Sequence, residues 1–209
     1  MDRSYLRLYA VTDDRLWPDI PMEQKVASAI KGGATMIQYR EKLMGAAGQK
    51  SCAVSIHNIC RKNKVPLIIN DHVHLAKDID AEGVHIGQDD MDIVQARQIL
   101  GPDKIIGVTA KTVEQAVTAY ENGADYLGSG AVFGSVTKPE AIPMDMGLLC
   151  EICESVPIPV VAIGGINIDN IDRLSGVPVA GVAVVGGIFA EGDIEMAARR
   201  LMSKLDHLF

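Results

Sequence analysis

The sequence predicts a (β/α)8 barrel that occupies the whole chain, residues 1–209, as one domain. Three observations carry that prediction. Short apolar runs recur along the chain with amphipathic stretches between them. The apolar residues are aliphatic: 48% of the chain is hydrophobic but only 4% aromatic, a mix that suits parallel strands buried under helices. Polar and glycine residues gather just after the apolar runs, on the side where such barrels keep their sites.

The runs are Leu6–Val11, Ala34–Tyr39, Pro66–Asn70, Gly83–Gly87, Ile105–Thr109, Tyr126–Ser129, Pro159–Ile163 and Gly181–Val185. Helical segments read as Met22–Lys31, Gly48–Lys62, Ile93–Leu100, Val113–Asn122, Gly147–Ser155 and Asp193–Leu208. Eight strand–helix units without interruption, ending in a helix, favour a closed barrel. The alternative is an open doubly wound sheet, which usually carries a glycine-rich phosphate loop after its first strand. Here Ala10-Val11-Thr12-Asp13 has no glycine. Gly32-Gly33 and Gly123-Ala124-Asp125 read as helix-to-strand turns at the opposite pole of the barrel. Thr112 is placed to cap the helix that follows it, with Gly123 just past that helix's end.

The net charge of −7 argues against nonspecific nucleic-acid binding and against docking on anionic membrane. No apolar run approaches the ~18 residues of a membrane span, and Met1-Asp2-Arg3-Ser4-Tyr5 lacks the order of a signal peptide. A soluble cytoplasmic protein is expected, with neither nucleic acid nor membrane as a partner; homo-oligomerisation is left open. Cys150 and Cys153 have metal-ligand spacing but no matching second pair, and they share a helix face with Leu149. Buried thiols are expected there.

Function concentrates at the carboxyl ends of the strands. Gln38, Arg40 and Lys42 alternate along an extended backbone, so they project to one face as the second strand gives out. A solvated turn is the competing reading of that stretch alone. Asn70-Asp71 ends the third strand, and Gly87-Gln88-Asp89-Asp90 follows the fourth. Asp71 and Asp90, beside Arg40, Lys42 and Lys138, make a candidate Mg²⁺ site, because magnesium takes one or two carboxylates plus phosphate oxygens and water. Helix capping is the other role open to Asp71. Gly164-Gly165 and Gly186-Gly187 follow strands seven and eight, where bare backbone N–H groups can cradle a phosphate. Phe133 to Pro143, with Ser135, Thr137 and Lys138, has the composition of a lid closing over phosphates. His72 and His74 lie on a helix start and do not share a face, so they read as surface or packing residues. His85, opposite in phase to Val84 and Ile86, reads as a core histidine facing the barrel interior.

Taken together, Gln38-Tyr39-Arg40-Glu41-Lys42, Asn70-Asp71, the Gly83–Asp90 run, Ser135-Val136-Thr137-Lys138, Ala162-Ile163-Gly164-Gly165-Ile166 and Ala183-Val184-Val185 resemble the thiamine phosphate synthase family over almost the whole chain. The resemblance implies a (β/α)8 barrel that joins a pyrimidine pyrophosphate to a thiazole phosphate, or its carboxylated form, releasing pyrophosphate through a pyrimidine-methyl cation. It implies Gln38, Tyr39, Arg40, Glu41, Lys42, Asn70, Thr109 and Lys138 on the pyrimidine pyrophosphate, with Arg40, Lys42, Thr109 and Lys138 as the catalytic set. It implies Ser135, Val136, Thr137, Gly165, Val185 and Gly186 on the thiazole phosphate, and Asp71 and Asp90 as ligands of Mg²⁺. Gln38, deepest in the barrel, would contact the uncharged ring; Arg40 and Lys42, nearer the mouth, would take the departing charge.

Three positions depart from the family pattern. Thr109 stands for serine and Ser135 for threonine, both keeping a hydroxyl, whereas Gly186 loses one. A thiazole tautomerase on the same barrel is the nearest rival, but Thr109-Ala110-Lys111-Thr112 lacks the histidine that family uses after its fifth strand. A sugar-phosphate isomerase or lyase would need a base or Schiff-base lysine inside a strand. A non-catalytic thiamine-precursor-binding protein could keep the same binding residues.

Overall fold

The computed structural model describes residues 1–134 and 143–208. Eight parallel strands close into a barrel in sequence order, each paired with its neighbours and the first with the last. They are β1 (Leu8–Val11), β2 (Met36–Tyr39), β3 (Leu67–Asn70), β4 (Gly83–Ile86), β5 (Ile105–Thr109), β6 (Tyr126–Gly130), β7 (Val160–Ile163) and β8 (Gly181–Val184). Around them run α1 (Met22–Lys31), α2 (Ala46–Lys62), α3 (Val73–Asp78), α4 (Ile93–Leu100), α5 (Val113–Glu121), α6 (Met146–Ser155), α7 (Gly186–Phe189) and α8 (Ile194–Leu208). Among the described residues, no helix is long and apolar enough to cross a membrane.

The strands' two side-chain phases sort into two cores. One phase, with Leu8, Ala10, Ile37, Tyr39, Leu67 and Ile69, packs outward against the helices. The other, with Tyr9, Val11, Met36, Ile68, Tyr126, Val161 and Ala183, fills the barrel interior. The Tyr126 ring and the His85 imidazole fit in so small a barrel because Gly107, beside Tyr126 on β5, and Gly128 on β6 leave them room. A Cβ on Gly107 would lie 2.1 Å from Tyr126 Cζ, and one on Gly128 would lie 3.0 Å from His85 Cε1.

Several expected bounds shift by a residue or two, β2 for example starting at Met36 rather than Ala34, and three differences bear on the fold. Leu6 belongs to a 3-10 turn, Arg3–Leu6, so β1 starts only at Leu8. The second helix begins two residues earlier than Gly48, at Ala46. The unbroken series of helical connections fails between β7 and β8, where a single 3-10 turn, Ile171–Leu174, replaces a helix. The other punctuation agrees with expectation. Thr112 Oγ1 accepts a hydrogen bond from Gln115 N at 3.1 Å, and Gly33 and Gly123 take left-handed backbone at φ 109° and 92°. Gly32 lets α1 meet α8, since a Cβ there would be 2.4 Å from the Glu195 carbonyl oxygen.

Candidate active site

A hydrogen-bonded chain crosses the barrel interior below the mouth. Gln38 Nε2 donates to Tyr9 Oη at 2.7 Å, and Tyr9 Oη lies 2.8 Å from Tyr126 Oη. Tyr126 Oη lies 3.0 Å from His85 Nδ1, and His85 Nε2 lies 3.0 Å from Thr109 Oγ1. Gln38 Nε2 donates into this chain, and one consistent arrangement runs the donors from Tyr9 to Tyr126, from Tyr126 to His85 Nδ1, and from Nε2–H to Thr109. In that arrangement the Gln38 carbonyl oxygen, an acceptor, and the Thr109 hydroxyl proton, a donor, stand at the two ends. Burial drives the pKa values of both tyrosines well above the ordinary phenol value, so the phenols stay neutral. His85 is therefore the interior, hydrogen-bonded histidine that its phase predicts.

Above this layer the mouth is charged. Thr12 Oγ1 accepts from Arg40 N at 2.9 Å and donates to Arg40 O at 3.1 Å, fixing the backbone just past β2. Asp13, only 1% exposed, places Oδ2 3.5 Å from Arg40 Nη1 and 2.6 Å from Arg15 Nη2. Burial by itself would raise the Asp13 pKa, but hydrogen bonds from Arg15 bring it below the ordinary carboxylate value. Lys42 Nζ contacts Asp71 Oδ2 at 2.6 Å. Asp71 takes left-handed backbone, φ 61°, at the turn out of β3, a region that aspartate tolerates better than most residues.

The capping role open to Asp71 is not used. His72 occupies the N-cap of α3 and makes no side-chain capping bond, while the Asp71 carboxylate faces Lys42 and Asp90. Asp90 Oδ2 accepts from Gly87 N at 2.8 Å, and Asp92 rather than Asp90 caps α4. The Asp71 and Asp90 carboxylates lie within hydrogen-bonding reach of each other. Partial burial raises the Asp90 pKa against the Gly87 N–H, and repulsion from Asp71 adds to the rise. For Asp71, the Lys42 ammonium outweighs burial and the pKa falls.

Across the mouth, β7 runs into Gly164 and Gly165, at φ 105° and 66°. Neither position has room for a side chain: a Cβ would meet Ala131 Cα at 2.5 Å from Gly164, or Phe133 O at 2.5 Å from Gly165. Asn170 Nδ2 donates to Gly165 O at 2.8 Å, so the turn is held from behind. Val185 packs on the interior cluster, and Gly186 begins α7.

Two expected contacts lie elsewhere. Tyr39 points outward into the helical layer, 2% exposed, where burial and neighbouring Cys52 raise its pKa. Glu41, 5% exposed, accepts from Leu43 N at 2.6 Å and Met44 N at 2.8 Å, so it shapes the loop after β2. It lines a cavity of about 410 Å³ with Lys25 and Cys52, outside the barrel interior. Ser135, Val136, Thr137 and Lys138, with the lid expected there, lie outside the described residues. Sequence reasoning missed Tyr9, Thr12, Asp13, Arg15 and Tyr126. The available signal was Thr12-Asp13 at the carboxyl end of the first strand, the same position that singled out Asn70-Asp71.

Residues 8–188 match the family described as thiamine monophosphate synthase. The chain belongs to the thiamine monophosphate synthase family. It is 42% identical over 208 residues to thiamine-phosphate synthase 2 of Streptococcus pneumoniae, covering 100% of this chain and 99% of that one. It is 43% identical over 193 residues to the thiamine-phosphate synthase of Clostridium acetobutylicum, covering 92% of each chain. Among solved structures it resembles thiamine phosphate pyrophosphorylase from Pyrococcus furiosus, with a TM-score of 0.90, 36% identity and coverage of 99% and 98%. In this member of the thiamine monophosphate synthase family, the donor set at the mouth fits magnesium. Among the described residues no group of three or more His, Cys, Asp or Glu side chains is placed to hold a metal, whereas the Asp71–Asp90 pair supplies the two carboxylates that magnesium commonly takes.

Proposed function

We propose that this chain is a thiamine phosphate synthase, joining 4-amino-2-methyl-5-hydroxymethylpyrimidine pyrophosphate to a thiazole phosphate with release of pyrophosphate. The observation that carries the reading is the pairing of a polar floor with a cationic rim in one barrel. The Gln38 carbonyl and the Thr109 hydroxyl offer an acceptor and a donor, which an aminopyrimidine can satisfy with its amino group and a ring nitrogen. Gln38 lies within β2, and Arg40 and Lys42 follow just past its carboxyl end, so a ring seated on the floor would point its methylene pyrophosphate towards the two cations.

On this reading, Arg40 and Lys42 stabilise charge that grows on the departing pyrophosphate, because a preorganised cation contributes most where charge develops. Lys138 is assigned to the same task from the lid. Mg²⁺ held by Asp71 and Asp90 would neutralise further charge on the phosphate oxygens. Asn70, half-buried at the end of β3, orients the pyrimidine portion, and the Gly165 and Gly186 turns, with Val185, Ser135, Val136 and Thr137, take the thiazole phosphate. Departure of pyrophosphate leaves a pyrimidine-methyl cation, which the thiazole nitrogen captures. The floor suits such a cation, since both of its phenols are buried and stay protonated and so offer no phenolate to capture it.

The test supplies both substrates with Mg²⁺ to purified protein and measures thiamine phosphate and pyrophosphate. Equal amounts of the two products are expected. Asp71→Asn keeps a residue that tolerates the left-handed backbone, and it should lose about a hundredfold or more of Mg²⁺-dependent turnover with little change in melting temperature. Wild-type protein that makes no thiamine phosphate would falsify the synthase assignment.

A further inference from the structure

We infer that Arg15 is an additional anion-binding residue of this site, held there by Asp13, and that it supplies a second guanidinium to the substrate's pyrophosphate. The inference rests on the synthase reading for its substrate but not for its geometry. Asp13 lies two residues past β1, at the barrel mouth, and its carboxylate is 1% exposed. Its Oδ1 accepts from Arg15 N at 3.0 Å and Arg15 Nε at 2.9 Å. Its Oδ2 accepts from Arg15 Nη2 at 2.6 Å and lies 3.5 Å from Arg40 Nη1.

Two guanidinium groups therefore converge on one carboxylate oxygen. Like charges repel, so a protein does not bring two arginines together at a half-open mouth without a reason. The Asp13 carboxylate is shared between both guanidinium groups, and Asp14 adds a weaker attraction on Arg15. Arg15 is not a loose surface side chain. Its backbone N–H and two guanidinium nitrogens are all tied to Asp13, so the conformational cost of ordering it is already met on folding. Its side chain remains 48% exposed, and Asp13 engages only the Nε and Nη2 edge. A guanidinium has five N–H donors, so the Nη1 edge is left to bind another oxyanion. Pyrophosphate, with several anionic oxygens on two phosphorus atoms, is the ligand at this mouth that can use a second arginine in addition to Arg40. Asp13 touches no substrate on this account; it is a positioning residue.

The test measures binding of inorganic pyrophosphate by calorimetry, with and without Mg²⁺, to the wild type, Arg15→Gln, Arg15→Lys and Asp13→Asn, alongside steady-state kinetics. Arg15→Gln should weaken pyrophosphate binding about tenfold and raise KM for the pyrimidine pyrophosphate by a similar factor. KM for the thiazole phosphate should stay within twofold, and Arg15→Lys should recover part of the loss. Asp13→Asn should also weaken pyrophosphate binding, because both guanidinium groups lose their anchor. Pyrophosphate affinity in Arg15→Gln within twofold of wild type overturns the inference, as does Asp13→Asn that melts earlier with unchanged affinity. Wild type that binds pyrophosphate more tightly than Arg15→Gln, yet makes no thiamine phosphate, supports the inference and removes the synthase reading instead.

Discussion

Gly186 is the one departure from the family pattern that removes a functional group, and its surroundings say what restoring it would do. Among the described residues, and apart from its chain neighbours and its own helix backbone, a Cβ at Gly186 meets nothing nearer than Ala190 Cβ at 4.0 Å, and the backbone there is not left-handed. Gly164 and Gly165 differ, being both strained for other residues and crowded. Gly186→Ser should therefore fold normally and place a hydroxyl beside the proposed thiazole phosphate. A hydrogen bond to a charged group is worth roughly 1.5–3 kcal/mol, so KM for the thiazole phosphate should fall about tenfold or more with kcat nearly unchanged. A steady-state titration of that substrate checks it, and an unchanged KM would place the phosphate elsewhere.

At the level of the strands, much of the candidate site's side-chain placement was legible because alternation along an extended backbone is a strong rule. Arg40 and Lys42 reach the mouth, Gln38 and His85 face inward, and Asp71 and Asp90 meet, as their phases and strand ends imply. The same rule puts Tyr39 and Glu41 out of phase with Gln38 and Arg40, and both side chains point away, although the family resemblance implies them on the pyrimidine pyrophosphate. What could not be read was three-dimensional adjacency between distant strands. Tyr9 and Tyr126 are 117 residues apart in sequence and meet only because β1 and β6 face each other across the closed barrel. Gly107 on β5 is part of that meeting. Gly107→Ala should drive Cβ into the Tyr126 ring, displace the tyrosine from His85, and destabilise the protein by about 1–3 kcal/mol or more. Chemical denaturation gives the number, and an unchanged midpoint would mean that the ring has another place to go.

For the molecule as a whole, the seam between the chain's two ends matters as much as the site. β1 pairs with β8, α1 packs on α8 across Gly32, and Lys31 meets Glu195 at 2.7 Å, so closure was implied once eight strands were counted. The 3-10 turn between β7 and β8 was not implied, because Asn167-Ile168-Asp169-Asn170 offers side-chain bonds to the backbone that replace a helix's own, among them Asn170 Oδ1 accepting from Asn167 N at 2.9 Å. The interior phenols also set an alkaline limit on the entire fold. Their folded pKa values lie above the unfolded value of about 10. Their stabilising contribution is therefore complete below about pH 10 and lost as pH climbs towards the folded values. Melting followed by circular dichroism should hold steady to about pH 9.5 and then decline. A protein carrying Tyr9→Phe and Tyr126→Phe should decline less steeply, and an equal slope would assign the alkaline loss to other groups.

The tyrosine floor has a consequence for anyone wishing to alter what the barrel accepts. Its height is set by volume exchanged between strands, since Gly107 and Gly128 yield the space that Tyr126 and His85 occupy. That exchange makes cavity depth a tunable dimension. Shortening the residue at position 126 lowers the floor by the size of a ring without touching Arg40, Lys42 or the aspartate pair. In the proposed binding mode, a pyrimidine with a bulkier ring substituent would then sit deeper while its diphosphate tail met the same cations.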